Sequence, residues 1–284
     1  MNVIGIGKAG CAIANEFGKY PEYNVYKIDV GLKGEKCYSL KECETPEEYE
    51  NKCPNLKPFF KEVEGEVLYI TSSGRVSAAS LAILQQLYQK KCKIKILYIK
   101  PDIELLDETK IMQERTIFGI LQEYTRSAIF ERMYIVHNSA LEDILEEISI
   151  MSYYDQLNSL IVSTMHMINI FDHSEPVIST RSKPVDQARI TTFGLVDFET
   201  SEEKLFFDLK YFRDRCYYYA MPEKMLKSDG TLFKKIKQQT KDKVKRDANK
   251  QIKTSYSVFS TQYEQEYVYC IAHSSAVQEN RKKE

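Results

Sequence analysis

The sequence predicts an α/β fold: a Rossmann-like parallel sheet, then a long central helix and a smaller α+β C-terminal region. Three observations predict it. An apolar run over 2–6 breaks at Gly5, Gly7 and Gly10 and continues as a helix-like stretch, the strand–glycine loop–helix opening of a nucleotide-binding domain. Short apolar runs then alternate with longer amphipathic ones through the first half, the rhythm of βαβ units in a sheet covered on both faces. After Pro176 and Pro184 the rhythm changes to clustered strands around one basic helix.

The bulk properties narrow the function classes. The 284 residues are enough for one large domain or two smaller ones, and 43% hydrophobic with 29% charged residues is a globular composition. Forty basic against forty-one acidic residues give a net charge of -1, which names no partner. Seven cysteines are scattered without a Cys-x-x-Cys pair, as expected of reduced thiols rather than a zinc site or a disulfide framework. The four histidines, at 137, 166, 173 and 273, have no metal-ligand spacing, and no Ser/His/Asp or Cys/His nucleophilic set is evident. There is no apolar run of transmembrane length, and the chain opens on a strand rather than a signal peptide, so the expected location is cytoplasmic.

In order, strands are expected at 2–6, 24–29, 66–71, 93–99 and 133–136, with helices at 76–90 and 108–129 between the later ones. Leu84, Leu87 and Tyr88 carry the first helical stripe, and Ile117, Ile120, Leu121 and Tyr124 the second. Residues 31–62, rich in Lys and Glu and punctuated by Pro46, Pro54 and Pro58, read as a surface excursion with at most one short helix. Apolar positions nearly all round from 141 to 171 predict one long buried helix. Strands at 189–198 and 215–221, an exposed helix over 230–253 and a closing strand pair at 255–260 and 266–273 complete the chain. The domains so read are 1–140 for nucleotide binding, 141–175 for the core helix and its loop, and 176–284 for the α+β region.

The glycine loop admits a tight turn and close approach of backbone amides to a phosphate. Asp29, about twenty residues beyond the loop, fits the ribose-binding acid of a dinucleotide fold, or a simple strand-end cap; the first alternative makes an NAD(P)-dependent oxidoreductase a competing reading. The segment from Lys234 to Lys253 holds nine basic and two acidic residues, read first as a solvated face and otherwise as a contact for an acidic partner, with nucleic acid disfavoured.

Five partial motifs in order then resemble the tubulin/FtsZ superfamily. Val3-Ile-Gly-Ile-Gly-Lys-Ala-Gly-Cys-Ala-Ile-Ala-Asn15 aligns without a gap to the first phosphate loop of FtsZ-type proteins. Glu66-Val-Leu-Tyr-Ile-Thr-Ser-Ser-Gly74 sits where the second enters, and Lys100-Pro101 with Gly119-Ile120 resembles the Arg-Pro…Gly-Ile pair. Met133-Tyr-Ile-Val-His-Asn138 is similar to the Ile-x-Pro-Asn strand, and Ile168-Asn169-Ile-Phe-Asp172-His-Ser-Glu175 to the activating loop. The length is that of compact bacteriophage or plasmid members, which for a phage protein implies the host-cell cytoplasm.

The resemblance implies GTP, with Mg2+, held by Gly5, Gly7, Lys8, Gly10, Cys11 and Asn15 of the first loop and Ser73, Gly74, Arg75 and Ser77 of the second. It implies a ribose contact at Glu108 and a guanine contact at Glu147. Asn169, Asp172 and Glu175 would reach the nucleotide of the next subunit in a head-to-tail homopolymer, completing hydrolysis there. Three departures stand out. The second loop lacks the family's glycine run and carries β-branched Val76, Ala12 replaces the base-contacting Asn, and the activating loop is one residue longer before its first acid. They support the alternative of a pseudo-GTPase scaffold, with Arg75 as a candidate replacement phosphate partner.

Overall fold

The computed structural model describes residues 1–145 and 147–279, which form two compact units, Met1–Val162 with the end of the chain from Val277, and Ser163–Ala276. In the first unit the order is β1 (Asn2–Ile6), α1 (Gly7–Phe17), β2 (Asn24–Val30), β3 (Cys37–Leu40), α2 (Pro46–Asn51), β4 (Glu66–Thr71), α3 (Ser80–Gln89), β5 (Lys93–Lys100), α4 (Glu108–Arg126), β6 (Arg132–His137) and α5 (Asn138–Leu145). The strands run parallel in the order β3-β2-β1-β4-β5-β6. The chain therefore builds outward from β1 in one direction, then returns to β1's other edge with β4. That reversal is the topological switch point at which open α/β sheets bind ligands.

The expected strands of this unit are all present: β1 is buried along its whole length and β4, β5 and β6 along most of theirs, whereas β2 alternates, with Tyr26 and Ile28 buried. Within the excursion 31–62 the structure adds an edge strand, β3, that the sequence did not announce. Only Leu40 of its four residues is buried, so no alternation marks it. The expected helix 76–90 starts instead as a 3-10 turn, Arg75–Ala79, before α3.

The single helix expected over 141–171 is two. After α5 the chain breaks, passes through a 3-10 turn at Ile150–Ser152 and restarts as α6 (Tyr153–Asp172). Leu141 of α5 and Leu157 of α6 are buried, at 0% and 1% exposure, but Ile150 and Met151 between them are 92% and 93% exposed, so the apolar run is not one continuous buried stripe.

The second unit contains the end of α6, β7 (Ile178–Ser179), β8 (Ile190–Val196), β9 (Glu203–Leu205), β10 (Phe212–Pro222), α7 (Glu223–Ser228), α8 (Leu232–Ala248), β11 (Lys253–Thr261) and β12 (Tyr267–Ser274). Its sheet runs β8-β12-β10-β11-β7, with β9 on β8, and only β10 and β11 pair in parallel. The expected closing pair of β11 and β12 is not formed, because β10 lies between them. Cys216–Pro222 of β10 is buried on both faces, and such a strand belongs in the middle of a sheet.

Tyr217 and Tyr219 pack with Leu232 and Ile236 of α8 on one face of this sheet. On the other, Phe171 of α6 stacks on Phe259 at 4.4 Å and lies 6.2 Å from Tyr218. The helix expected to be exposed over 230–253 is shorter and amphipathic: Leu232, Ile236, Thr240, Lys243 and Asp247 form its buried stripe.

Candidate functional site at the carboxyl edge of the first sheet

The β1–α1 and β4–α3 connections leave adjacent parallel strands at the switch point, so both loops open at one edge of the sheet. The three glycines of the first loop have different physical tasks. A Cβ on Gly5 would lie 2.2 Å from the carbonyl oxygen of Gly10, and one on Gly10 would lie 2.5 Å from that of Ile70. These two let α1 seat directly on β1 and β4. Gly7 opens α1 with φ +67°, and the preceding Ile6 supplies no side-chain cap. The leading amides of α1 and the positive end of its dipole therefore lack a side-chain acceptor, the arrangement that accommodates an anion. A Cβ on Gly7 would sit 3.4 Å from Ser77 Oγ, ordinary contact distance, so the two loops approach each other closely there. The uncapped amides fit a phosphate lying over the loops, with exposed Lys8 in the same turn.

The second loop is held by side chains rather than by a glycine run. Ser72 Oγ donates to Ile99 O at 2.7 Å, the hydroxyls of Thr71 and Ser80 lie 3.1 Å apart, and Gln113 Nε2 donates to Gly74 O at 3.4 Å. Ser73 hydrogen-bonds the buried hydroxyl of Tyr98, which also donates to Glu114 Oε1 at 3.4 Å. Arg75, the expected compensating cation, donates instead to Glu44 O at 3.1 Å, ahead of α2.

Other candidates divide by place. Glu108 is exposed in the first turn of α4, behind the Asp107 cap. Glu147 is exposed in the break between α5 and α6 rather than at the start of a long helix. Topology brings Glu108, at the start of the helix that follows β5, to the edge that carries Gly7, Lys8, Ser73, Gly74, Arg75 and Ser77, whereas Glu147 follows α5. Two further residues of the first motif, Cys11 and Asn15, have partners within the chain. The Cys11 thiol is buried, donates to Gly5 O and Ile28 O at 3.4 and 3.5 Å, and is pushed up to about 12 by that burial. Asn15 is eight residues into α1, about 12 Å along its axis, where it accepts from Lys27 Nζ at 3.1 Å. Asp29 Oδ1 accepts from the amide of Val30 at 2.8 Å, the strand-end cap of the two alternatives.

Sequence reasoning missed a buried pair at this edge. Lys100 Nζ lies 2.7 Å from Glu114 Oε1, with side-chain exposures of 5% and 0%, and 4.3 Å from the Phe118 ring centre. Burial lowers the Lys100 pKa against the opposing pull of Glu114. The same edge holds His137, lowered first by burial and then by Lys100; its Nδ1 lies 3.0 Å from Ser139 Oγ. Lys100 before Pro101 is visible in the sequence, but Glu114 is one of many charges on α4 until the fold brings it inward.

Asn169, Asp172 and Glu175 lie at the end of α6, in the second unit. Asp172 accepts from Arg181 Nη1 at 2.9 Å and from Tyr218 OH at 2.8 Å. Burial holds the Tyr218 hydroxyl well above its ordinary pKa, so it remains a donor. His173 Nδ1 lies 2.8 Å from the carbonyl oxygen of Asn169. Glu175 is exposed, with no hydrogen bond or ion pair among the described residues. Among those residues no group of three or more His, Cys, Asp or Glu forms a metal-binding cluster, and no helix is long and apolar enough to cross a membrane.

No protein-family model and no curated protein matches the sequence. Solved structures do match in fold. The TubZ-Bt four-stranded filament aligns with TM-score 0.72 at 15% identity, over 96% of this chain and 85% of that one. A GTPγS-form protofilament of Bacillus thuringiensis serovar israelensis TubZ aligns with TM-score 0.67 at 14% identity, over 96% and 87%. The empty FtsZ dimer of M. jannaschii aligns with TM-score 0.66 at 9% identity, again over 96% and 87%. The glycine loop at the switch point, the ordered motifs and these alignments converge: the chain has the tubulin/FtsZ-superfamily fold.

Proposed function

We propose that this chain is a filament-forming subunit that binds a guanine nucleotide at the carboxyl edge of the first sheet. The observation that carries the reading is the uncapped start of α1 at Gly7, beside Ser77 of the second loop at the switch point. The leading amides of α1 and Lys8 hold the phosphates there, Ser73, Gly74 and Ser77 border them, and Glu108 and Glu147 contact ribose and base. A Mg2+ ion bound with the nucleotide would neutralise phosphate charge. That the neighbours in fold are a protofilament and a filament supports self-association.

The carboxylates at the end of α6 act on the nucleotide of the next subunit. Asp172, held by Arg181 and Tyr218, fixes the end of the helix, and unpaired Glu175 orients the attacking water. A second reading, a non-hydrolysing scaffold of the same fold, is favoured by one observation: that ion pair removes Asp172 from the available acids.

Sedimentation with GTP, GDP or no nucleotide, with phosphate release read in the same tubes, separates the two. Pelleting that requires GTP and releases phosphate supports the hydrolysing filament. GTP-dependent pelleting without release, or association without bound nucleotide, supports the scaffold, and failure to associate in every tube overturns both.

A further inference from the structure

The lysines of α8 are left over by the proposed site. Lys234, Lys237, Lys241 and Lys245 are all exposed, and at about 100° per residue they fall within ~80° of arc. They form a stripe about 16 Å long. None has a hydrogen bond or ion pair among the described residues; Lys237 lies over the Phe233 ring at 5.3 Å. Their basic neighbours are committed elsewhere: Lys235 to Glu199, Lys243 and Arg246 to Glu203. Lys234, Lys237 and Lys241 line an open groove of about 530 Å3 with Val244 and Tyr256. A row of unpaired cations beside a groove is a surface shaped for an acidic partner.

The charge partition of the chain says which partner. The first unit carries 22 basic and 26 acidic residues, the second 18 and 15, so a nearly neutral protein is polarised between its units. One acidic surface of the first unit lies before and along α2, where Glu42, Glu44, Glu47 and Glu50 are exposed and form no ion pair among the described residues. We infer that the lysine stripe of α8 docks the acidic α2 segment of a second copy of this chain. The two surfaces differ, so the contact is heterologous, and repetition extends an open chain instead of closing a dimer. Duplex DNA, the other acidic partner that a basic stripe along a helix would suit, is an outcome of the test below. The inference deepens the filament reading and rests on it, but needs no nucleotide.

The test is a charge swap. One variant carries K234E, K237E, K241E and K245E; the other carries E42K, E44K, E47K and E50K. All eight positions are exposed, and circular dichroism checks folding. Self-association is read by sedimentation velocity at low and high salt, with and without GTP, beside binding of a labelled DNA duplex.

Each variant alone is expected to need about tenfold more protein to associate, as for loss of ~1.4 kcal/mol, and the wild-type association to weaken with salt. A 1:1 mixture of the two variants, and the chain carrying all eight changes, are expected to regain it. Unchanged association of the lysine variant, or a mixture that fails to regain it, overturns the contact. Loss of duplex binding with association intact assigns the stripe to nucleic acid and overturns it equally. GTP-independent association that follows the swap keeps the contact and removes only the nucleotide-driven part of the filament reading.

Discussion

Glu203→Gln is expected to destabilise the second unit by about 3 kcal/mol near neutral pH. Glu203 sits on β9 with 11% of its side chain exposed and gathers four donors. Lys243 Nζ, Arg246 Nη1 and Tyr217 OH reach its Oε1 at 2.9, 2.8 and 2.7 Å, and Arg215 Nη1 reaches Oε2 at 3.1 Å. Burial alone would raise its pKa, but Lys243, Tyr217 and Arg246 overcome that and hold it at about 2 against an ordinary 4.5. At ~1.4 kcal/mol per unit this difference is worth roughly 3 kcal/mol. The carboxylate is depressed in the folded state, so its stabilisation is fully present above about pH 4.5 and is lost as pH falls toward 2. Urea unfolding of wild type and E203Q across pH checks this. The two curves are expected to be well separated near neutrality and to converge below pH 4.5. A separation under about 1 kcal/mol near neutrality, or one that persists unchanged to acid pH, refutes the reasoning.

Four further outcomes follow from the same geometry. Gly10→Ala drives a Cβ into Ile70 O and is expected to cost about 1–3 kcal/mol, whereas Gly119→Ala, in an open stretch of α4, is expected to gain about 0.5–1; thermal melts compare them. Lys100→Met leaves Glu114 buried without its partner and should cost about 3–5 kcal/mol in a denaturant titration. Arg75→Ala should leave GTP affinity within about twofold by fluorescent-nucleotide titration, because its guanidinium serves the Glu44 carbonyl. In assembled protein Glu175→Ala should lower phosphate release more than Asp172→Ala; equal or reversed effects would remove the water-orienting role from Glu175.

The legible parts of this fold are those where one pattern decides the outcome. The β1 run and the glycines after it could hardly be anything else, and β4, β5 and β6 are short apolar strands buried through most of their length. Illegible were the parts decided by partners distant in sequence. Residues 141–171 are apolar enough for one helix, and no local pattern marks Ile150 and Met151 in their midst as exposed in a turn. β11 and β12 are close enough for a hairpin, but β10 needs neighbours on both edges and separates them.

At the candidate site, the spacing of Gly5, Gly7 and Gly10 announces a tight strand–helix turn but not the division of labour among them. Two of them are required by backbone contacts to Gly10 and Ile70 that no local pattern encodes. Arg75 looked like a phosphate partner because its loop position is near one; the carbonyl that takes it is 31 residues away in sequence. The Arg181 and Tyr218 donors to Asp172 come from segments 9 and 46 residues downstream, beyond the reach of a motif.

The central claim, that the uncapped start of α1 at Gly7 is a guanine-nucleotide site, is tested most directly by equilibrium titration of a fluorescent GTP analogue into wild type and Gly7→Val. Competition with unlabelled GTP, GDP and NAD is read in the same experiment. The account predicts saturable binding displaced by GTP and GDP but not by NAD, and lost in Gly7→Val while circular dichroism shows the fold intact. Equal binding by the folded variant, or displacement by NAD in place of GTP, would contradict it.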